Sequence, residues 1–135
     1  MKGSYILFIK LDEDKLIEYG IRKKNYFKKG LYIYVGSALN SLENRIERHL
    51  GNKKKIHWHI DYLLNFGQII NIFYRENNNR EECDIANLLK KKFLPIVNFG
   101  SSDCKCKTHL FYGSKKNLLE FIIKNNMNEY YKQKI

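Results

Sequence analysis

Two short runs of β-branched and aromatic residues, Ser4 to Leu11 and Leu31 to Val35, constrain the fold of this chain most. Side chains of this kind suit a pleated, packed surface, so both runs predict strands. The polar, basic segment between them has room for a further strand around Glu18 to Ile21. Ser41 stands before Leu42 to Leu50 as a cap and Gly51 follows as a stop, which predicts a short helix. His57 to Leu64 predicts a second helix, Gln68 to Tyr74 a third strand and Asn77 to Asn79 a loop. Arg80 to Phe93 predicts a longer helix ending before Pro95, and Val97 to Tyr112 reads as loop. Ser114 caps an amphipathic helix through about Asn125, and residues 127–135 are polar enough to fray. With no repeat, linker or composition step, the 135 residues form one domain around one core. The order of elements predicts a small α+β sheet with helices packed on it.

Charge narrows the partners. Lys and Arg number 25 against 14 Asp and Glu, a formal charge of +11, which favours a polyanion and makes nucleic acid the leading candidate. A lysine-rich solvated surface is the bland alternative. The cations cluster at Arg22 to Lys24 with Lys28 and Lys29, at Arg45 and Arg48 running on to Lys53, Lys54 and Lys55, and at Lys90 to Lys92. No apolar run approaches the roughly 20 residues that cross a bilayer, so a cytoplasmic location without membrane association is expected. Three cysteines are an odd count for a disulfide framework and suit a reducing compartment, where metal binding is the rival use.

Several residues have types and spacings suited to phosphate chemistry. Tyr5 and Tyr34 lie near the start of one strand and the end of another, so antiparallel pairing brings their hydroxyls to one sheet surface. A phenol there can orient or deprotonate a water, or can simply fill the core. Arg45 and His49 are neighbours on one helix face beside the Leu42, Ile46 and Leu50 stripe, while Arg48 points away toward solvent or a more distant phosphate. An arginine fork suits a phosphodiester, and a solvated charged helix is the alternative. Glu82 falls within the apolar stripe of its helix, Glu81 at the edge and Asp84 outside. A buried carboxylate needs a partner, which magnesium would supply, unless the helix dipole alone favours it.

The chain resembles the GIY-YIG nuclease superfamily, and within it the compact Uri-type branch also known as DUF123. Gly3-Ser4-Tyr5 and Tyr34-Val35-Gly36 match the two signatures, and Ser37, Ala38, Leu42 and Arg45 match their continuation. His57-Trp58-His59-Ile60-Asp61-Tyr62, Glu82-Cys83 and Phe99 to Cys106 with His109-Leu110 are the branch-specific stretches. The resemblance implies a three-stranded antiparallel sheet flanked by helices and one-metal hydrolysis of a phosphodiester bond. DNA is the expected substrate, and because a single small domain leaves little room for sequence reading, structure preference or a partner that supplies targeting is expected. It implies that Tyr5 and Tyr34 orient or activate water, Arg45 stabilises the phosphate, His49 assists proton transfer and Glu82 holds Mg2+ or Mn2+. Ser37 stands where some members carry a lysine, so the general base is open. Ser37, Arg48, Lys53, Lys54, His57 and His59 are expected at the substrate.

His57 and Asp61 share a helix face, which would suit a supporting His–Asp pair, a substrate contact or a hydrogen-bonded lid with Trp58 in the core. Cys83, Cys104, Cys106 and His109 are four ligands of the kinds structural zinc takes, although a Cys-x-Cys pair is tight and cysteines also pack as small apolar residues. The functions in competition are a DNA endonuclease, a non-catalytic nucleic-acid-binding module and a zinc-stabilised protein-interaction domain. DNA is preferred over RNA, a partner protein for targeting is a candidate, and oligomeric state is open.

Overall fold

A computed structural model describes residues 1–19, 23–38, 40–51, 58–77, 81–96, 99 and 108–131. The first run forms strand β1 (Gly3–Leu11) and the second forms β4 (Gly30–Ala38). Between them lies a two-stranded hairpin, β2 (Lys15–Glu18) with β3 (Lys24–Phe27). Helices α1 (Leu42–Leu50) and α2 (His59–Leu64) follow, then β5 (Gln68–Glu76) and α3 (Glu82–Leu89). The chain continues through β6 (Leu94–Pro95), β7 (Leu110–Tyr112), α4 (Lys115–Lys124) and β8 (Asn128–Glu129).

The main sheet has six antiparallel strands in the order β6-β7-β4-β1-β5-β8, and β2-β3 is a separate sheet. The expected small three-stranded sheet is therefore corrected to an α+β fold with a six-stranded sheet, a two-stranded sheet and four helices among the described residues. The three long strands β4, β1 and β5 were legible because each carries an apolar run. Strands β6, β7 and β8 are two or three residues long, too short to show a period of two, and exist because backbone at the sheet edges finds partners there.

Strand β1 is buried on both faces, which explains its nearly unbroken apolar character. Its odd positions Tyr5, Leu7, Ile9 and Leu11 join one core cluster, and its even positions Ile6 and Phe8 join another. The odd-face cluster is covered by α1 through Leu42 and Ile46, by α2 through Ile60 and Leu63, and by the hairpin through Ile17 and Phe27. The even-face cluster is covered by α3 through Ile85, Ala86 and Leu89 and by α4 through Leu118, Phe121 and Ile122. Each such side chain taken out of water contributes about 1.5–3 kcal/mol, so the three-layer arrangement follows from the two apolar sheet faces.

Several boundaries move. The extra strand expected near Glu18 to Ile21 is a hairpin with strands at Lys15–Glu18 and Lys24–Phe27; residues 20–22 lie outside the described set. The helix expected from His57 begins at His59, with His57 outside the described residues. The helix expected over Arg80 to Phe93 spans Glu82–Leu89 and closes in turns. The segment read as loop to Tyr112 ends in β7, which pairs with β4. Residues read as a frayed tail are in part docked on the sheet: Met127 is buried, β8 pairs with β5, and the Tyr130 hydroxyl donates to Glu47 at 2.7 Å. Among the described residues no helix is long and apolar enough to cross a membrane.

Candidate active site

Strand register brings Tyr5 and Tyr34 together. Tyr5 lies opposite Gly36 and Tyr34 opposite Leu7, so both aromatic side chains occupy the same sheet face one pleat apart, with ring centroids 6.5 Å apart. The two signature glycines have packing reasons. A Cβ on Gly36 would meet the Tyr5 ring carbon and hydroxyl at 2.5 Å, and one on Gly3 would run into the Arg75 carbonyl. A bare backbone at Gly36 thus makes the slot in which Tyr5 lies.

Helix α1 supplies the next residues. Ser41 Oγ accepts the Asn44 N–H at 3.2 Å and fixes the start of the helix, while Leu42 and Ile46 anchor it to the sheet. His49, one turn after Arg45, is only 2% exposed, and its Nε2 lies 2.7 Å from the Tyr5 hydroxyl. The imidazole also meets the Tyr34 ring, with centroids 6.3 Å apart. Arg45 donates from Nη1 to the Ser37 carbonyl at 3.2 Å and lies over the Trp58 indole, 4.4 Å from its centroid. Of Ser37, then, the backbone rather than the hydroxyl is seen to serve the site.

The electrostatics follow from depth. Burial raises the Tyr5 hydroxyl well above the usual tyrosine range, Arg45 opposes this by its charge and a hydrogen bond, and the Glu82 charge adds to the rise. Tyr34 is raised by burial, then by Tyr5 and Glu82, with Arg45 again opposing. Both phenols therefore keep their protons at neutral pH, and Tyr5 is a proton donor or relay rather than a standing phenolate. Glu82 opens α3 on the opposite layer, yet its charge is felt by both tyrosines. Its neighbour Glu81 is held by Arg75, whose Nε and Nη2 donate to Oε2 at 3.0 and 2.6 Å. Glu81 thus braces α3 against β5 through Arg75.

Other expected residues are placed elsewhere. Arg48 does not reach toward solvent phosphate: its Nη1 and Nη2 donate to the two Asp61 carboxylate oxygens at 3.0 and 2.9 Å. The Arg48 guanidinium also covers Trp58, 4.4 Å from the ring centroid, so the indole lies in contact with both arginines. Asp61, fully buried, also accepts the Trp58 backbone N–H at 3.0 Å, which ties the start of α2 to α1. Asp61 thus pairs with Arg48, and its expected pairing with His57 involves a residue outside the described set. Sequence reasoning placed Trp58 in the core and missed its contact with the guanidiniums; an indole close to two arginines on the preceding helix was the available signal. His59 packs against Tyr19 and Phe99, with centroids 5.1 and 5.6 Å away, and burial lowers its basicity, with Lys23 adding to the effect. It belongs to the contact between α2 and the hairpin rather than to the tyrosine site.

Lys53, Lys54, His57, Cys104 and Cys106 lie outside the described residues. The other two candidate zinc ligands meet, with Cys83 Sγ 3.7 Å from His109 Nε2. Among the described residues no three His, Cys, Asp or Glu side chains are grouped to hold a metal ion. An expected metal centre built from several such ligands among these residues is corrected on this ground. Together with the six-stranded sheet, it removes the fold and metal-cluster basis for labelling the chain a GIY-YIG nuclease.

A family model described as "Domain of unknown function DUF123" matches residues 4–132, and the chain belongs to that family. No curated protein and no solved structure matches the chain significantly.

Proposed function

We propose that this member of the DUF123 family hydrolyses phosphodiester bonds in DNA as an endonuclease, with Tyr5, His49 and Arg45 at its centre. The observation that carries this reading is the 2.7 Å contact between the Tyr5 hydroxyl and His49 Nε2 beside the Arg45 guanidinium. A structural tyrosine needs a hydrogen-bond partner, but it has no need of a titratable acceptor together with an arginine suited to phosphate. The charge of +11 supports the same reading.

In this mechanism the Tyr5 oxygen accepts a proton from the attacking water as its own proton passes to His49 Nε2. The phenol therefore stays neutral before and after transfer, as its raised basicity requires. Arg45 neutralises the charge that develops on the phosphate, held in place by the Ser37 carbonyl and the Trp58 ring. Tyr34 closes the other side of the water. Glu82, whose charge reaches both tyrosines, is the residue that would hold magnesium or manganese, with water and phosphate as the other ligands. An ion there would add positive charge at the phosphate.

Burial of Tyr5 and His49, at 1% and 2% exposure, favours a second reading, a module that binds nucleic acid without cutting it. End-labelled single-stranded, duplex, flap and branched DNA, with magnesium or manganese, separates the two. Cleavage by the wild type that falls about 100-fold or more in Tyr5→Phe and is lost in Glu82→Ala at matched binding supports the enzyme. Salt-sensitive binding with no cleavage by any of the three proteins refutes it.

A further inference from the structure

The β2–β3 hairpin covers the same sheet layer as the tyrosine site but turns one of its own faces outward. Ile17 and Phe27 point into the core, while their neighbours Leu16 and Tyr26 face solvent as a directly opposed cross-strand pair, 59% and 61% exposed. An exposed tyrosine beside an exposed leucine has no account in the packing of this chain. Carboxylates at Asp12, Glu13, Asp14 and Glu18 lie on the β2 side, and the β3 side is cationic. Between Glu18 and Glu43 the sequence holds five Lys and Arg and no carboxylate, and Lys24 and Lys28 flank Tyr26 at the alternate positions that share its side of the strand.

The cationic end of this face is held rigidly. The Tyr32 hydroxyl donates to the Lys28 carbonyl at 2.6 Å, and the Tyr112 hydroxyl donates to the Lys29 carbonyl at 2.9 Å. The Lys29 N–H in turn donates to Asp14 at 2.8 Å. Hydrogen bonds with β4, with β7 and with the residue before β2 fix the backbone of two residues whose side chains are both exposed. Presenting charges from an ordered backbone lowers the entropy lost on binding an anion. Glu18 opposes Lys24 across the hairpin, whereas Asp14, the carboxylate beside Lys29, is already engaged by the Lys29 N–H, so the anionic contact falls at Lys28 and Lys29.

We propose that this outward face binds single-stranded DNA, with one base stacked on Tyr26 against Leu16 and the adjoining phosphates on Lys28 and Lys29. An aromatic ring supplies a sequence-tolerant platform for a base, and lysines track the backbone. Charge complementarity selects this occupant, since an acidic peptide would use the lysines but leave the ring without a planar partner. The inference rests on nucleic acid being the substrate. It extends that reading by naming the strand type, a single-stranded arm next to the cut.

The test is fluorescence binding of a labelled thymidine oligonucleotide to the full chain in EDTA, where cleavage plays no part. Tyr26→Ala is expected to weaken binding about tenfold, and Tyr26→Phe to retain it. Lys28→Ala/Lys29→Ala is expected to flatten the logarithmic salt dependence by about 1.4, or roughly 0.7 for each single-strand phosphate that is no longer neutralised. Lys90→Ala/Lys91→Ala, on the opposite layer, serves as the control for net charge. Unchanged affinity in Tyr26→Ala, equal losses in the two lysine pairs, or binding of an acidic peptide in place of the oligonucleotide would overturn the proposal. Wild-type binding at this face without cleavage would refute the reaction and leave the surface standing.

Discussion

The Arg48–Asp61 pair is the most informative place to perturb, because it ties α1 to α2 and touches the ring that steadies Arg45. Asp61 is fully buried and takes both Arg48 donors together with the Trp58 N–H, whereas the Arg48 side chain is 26% exposed. Arg48→Ala leaves a buried carboxylate without its guanidinium, a loss that ordinarily costs about 3–5 kcal/mol. Partial access of water through the Arg48 side sets the expected value at the lower end, about 3 kcal/mol, or about 10 °C in Tm for a domain of this size. Asp61→Ala leaves an arginine that can turn toward solvent, and forfeits chiefly the bond at the start of α2, typically about 1 kcal/mol for such a cap. The double variant should therefore be more stable than Arg48→Ala alone, since it removes the stranded charge. Urea unfolding of the four proteins at constant m-value gives the coupling directly. A cost below about 1 kcal/mol for Arg48→Ala would show that the pair behaves as a surface bridge, and strict additivity would refute the stranded-carboxylate argument.

Two further outcomes follow from the geometry. Gly36→Ala introduces a methyl group at 2.5 Å from the Tyr5 ring and hydroxyl, so Tyr5 must leave His49. DNA cleavage should fall by about two orders of magnitude in that variant, the scale of removing a proton-transfer group, and wild-type activity would contradict the role of this contact. Alkaline pH should destabilise the fold: Tyr5 and Tyr34 are raised above their unfolded value of about 10, so their contribution is complete below pH 10 and declines as pH rises toward the folded values. Each should add about 1.4 kcal/mol of lost stability per pH unit in that window, which Tyr5→Phe and Tyr34→Phe would each remove; a wild-type stability flat above pH 10 would refute the burial argument. Tyr130, pushed up to about 12 by burial and by its bond to Glu47, should titrate late by tyrosinate absorbance, and earlier in Glu47→Gln.

The sequence by itself determined the local elements whose causes are local. Strands β1 and β4 follow from unbroken β-branched and aromatic runs, and α1 from a serine cap, an apolar stripe and a glycine stop. The spacing of Arg45 and His49 on one helix face was legible for the same reason. Only the tertiary structure decided what depends on contacts between distant segments. The edge strands β6 and β8 are two residues each and acquire their conformation from the strands they meet. The partner of Asp61 could not be read from its own helix because the nearest guanidinium comes from Arg48, 13 positions earlier, and helix spacing specifies a face without specifying what packs on it. Likewise the burial of His49 against Tyr5, 44 positions apart, is fixed by how α1 lies across β1 and β4, a matter of packing that no periodicity encodes.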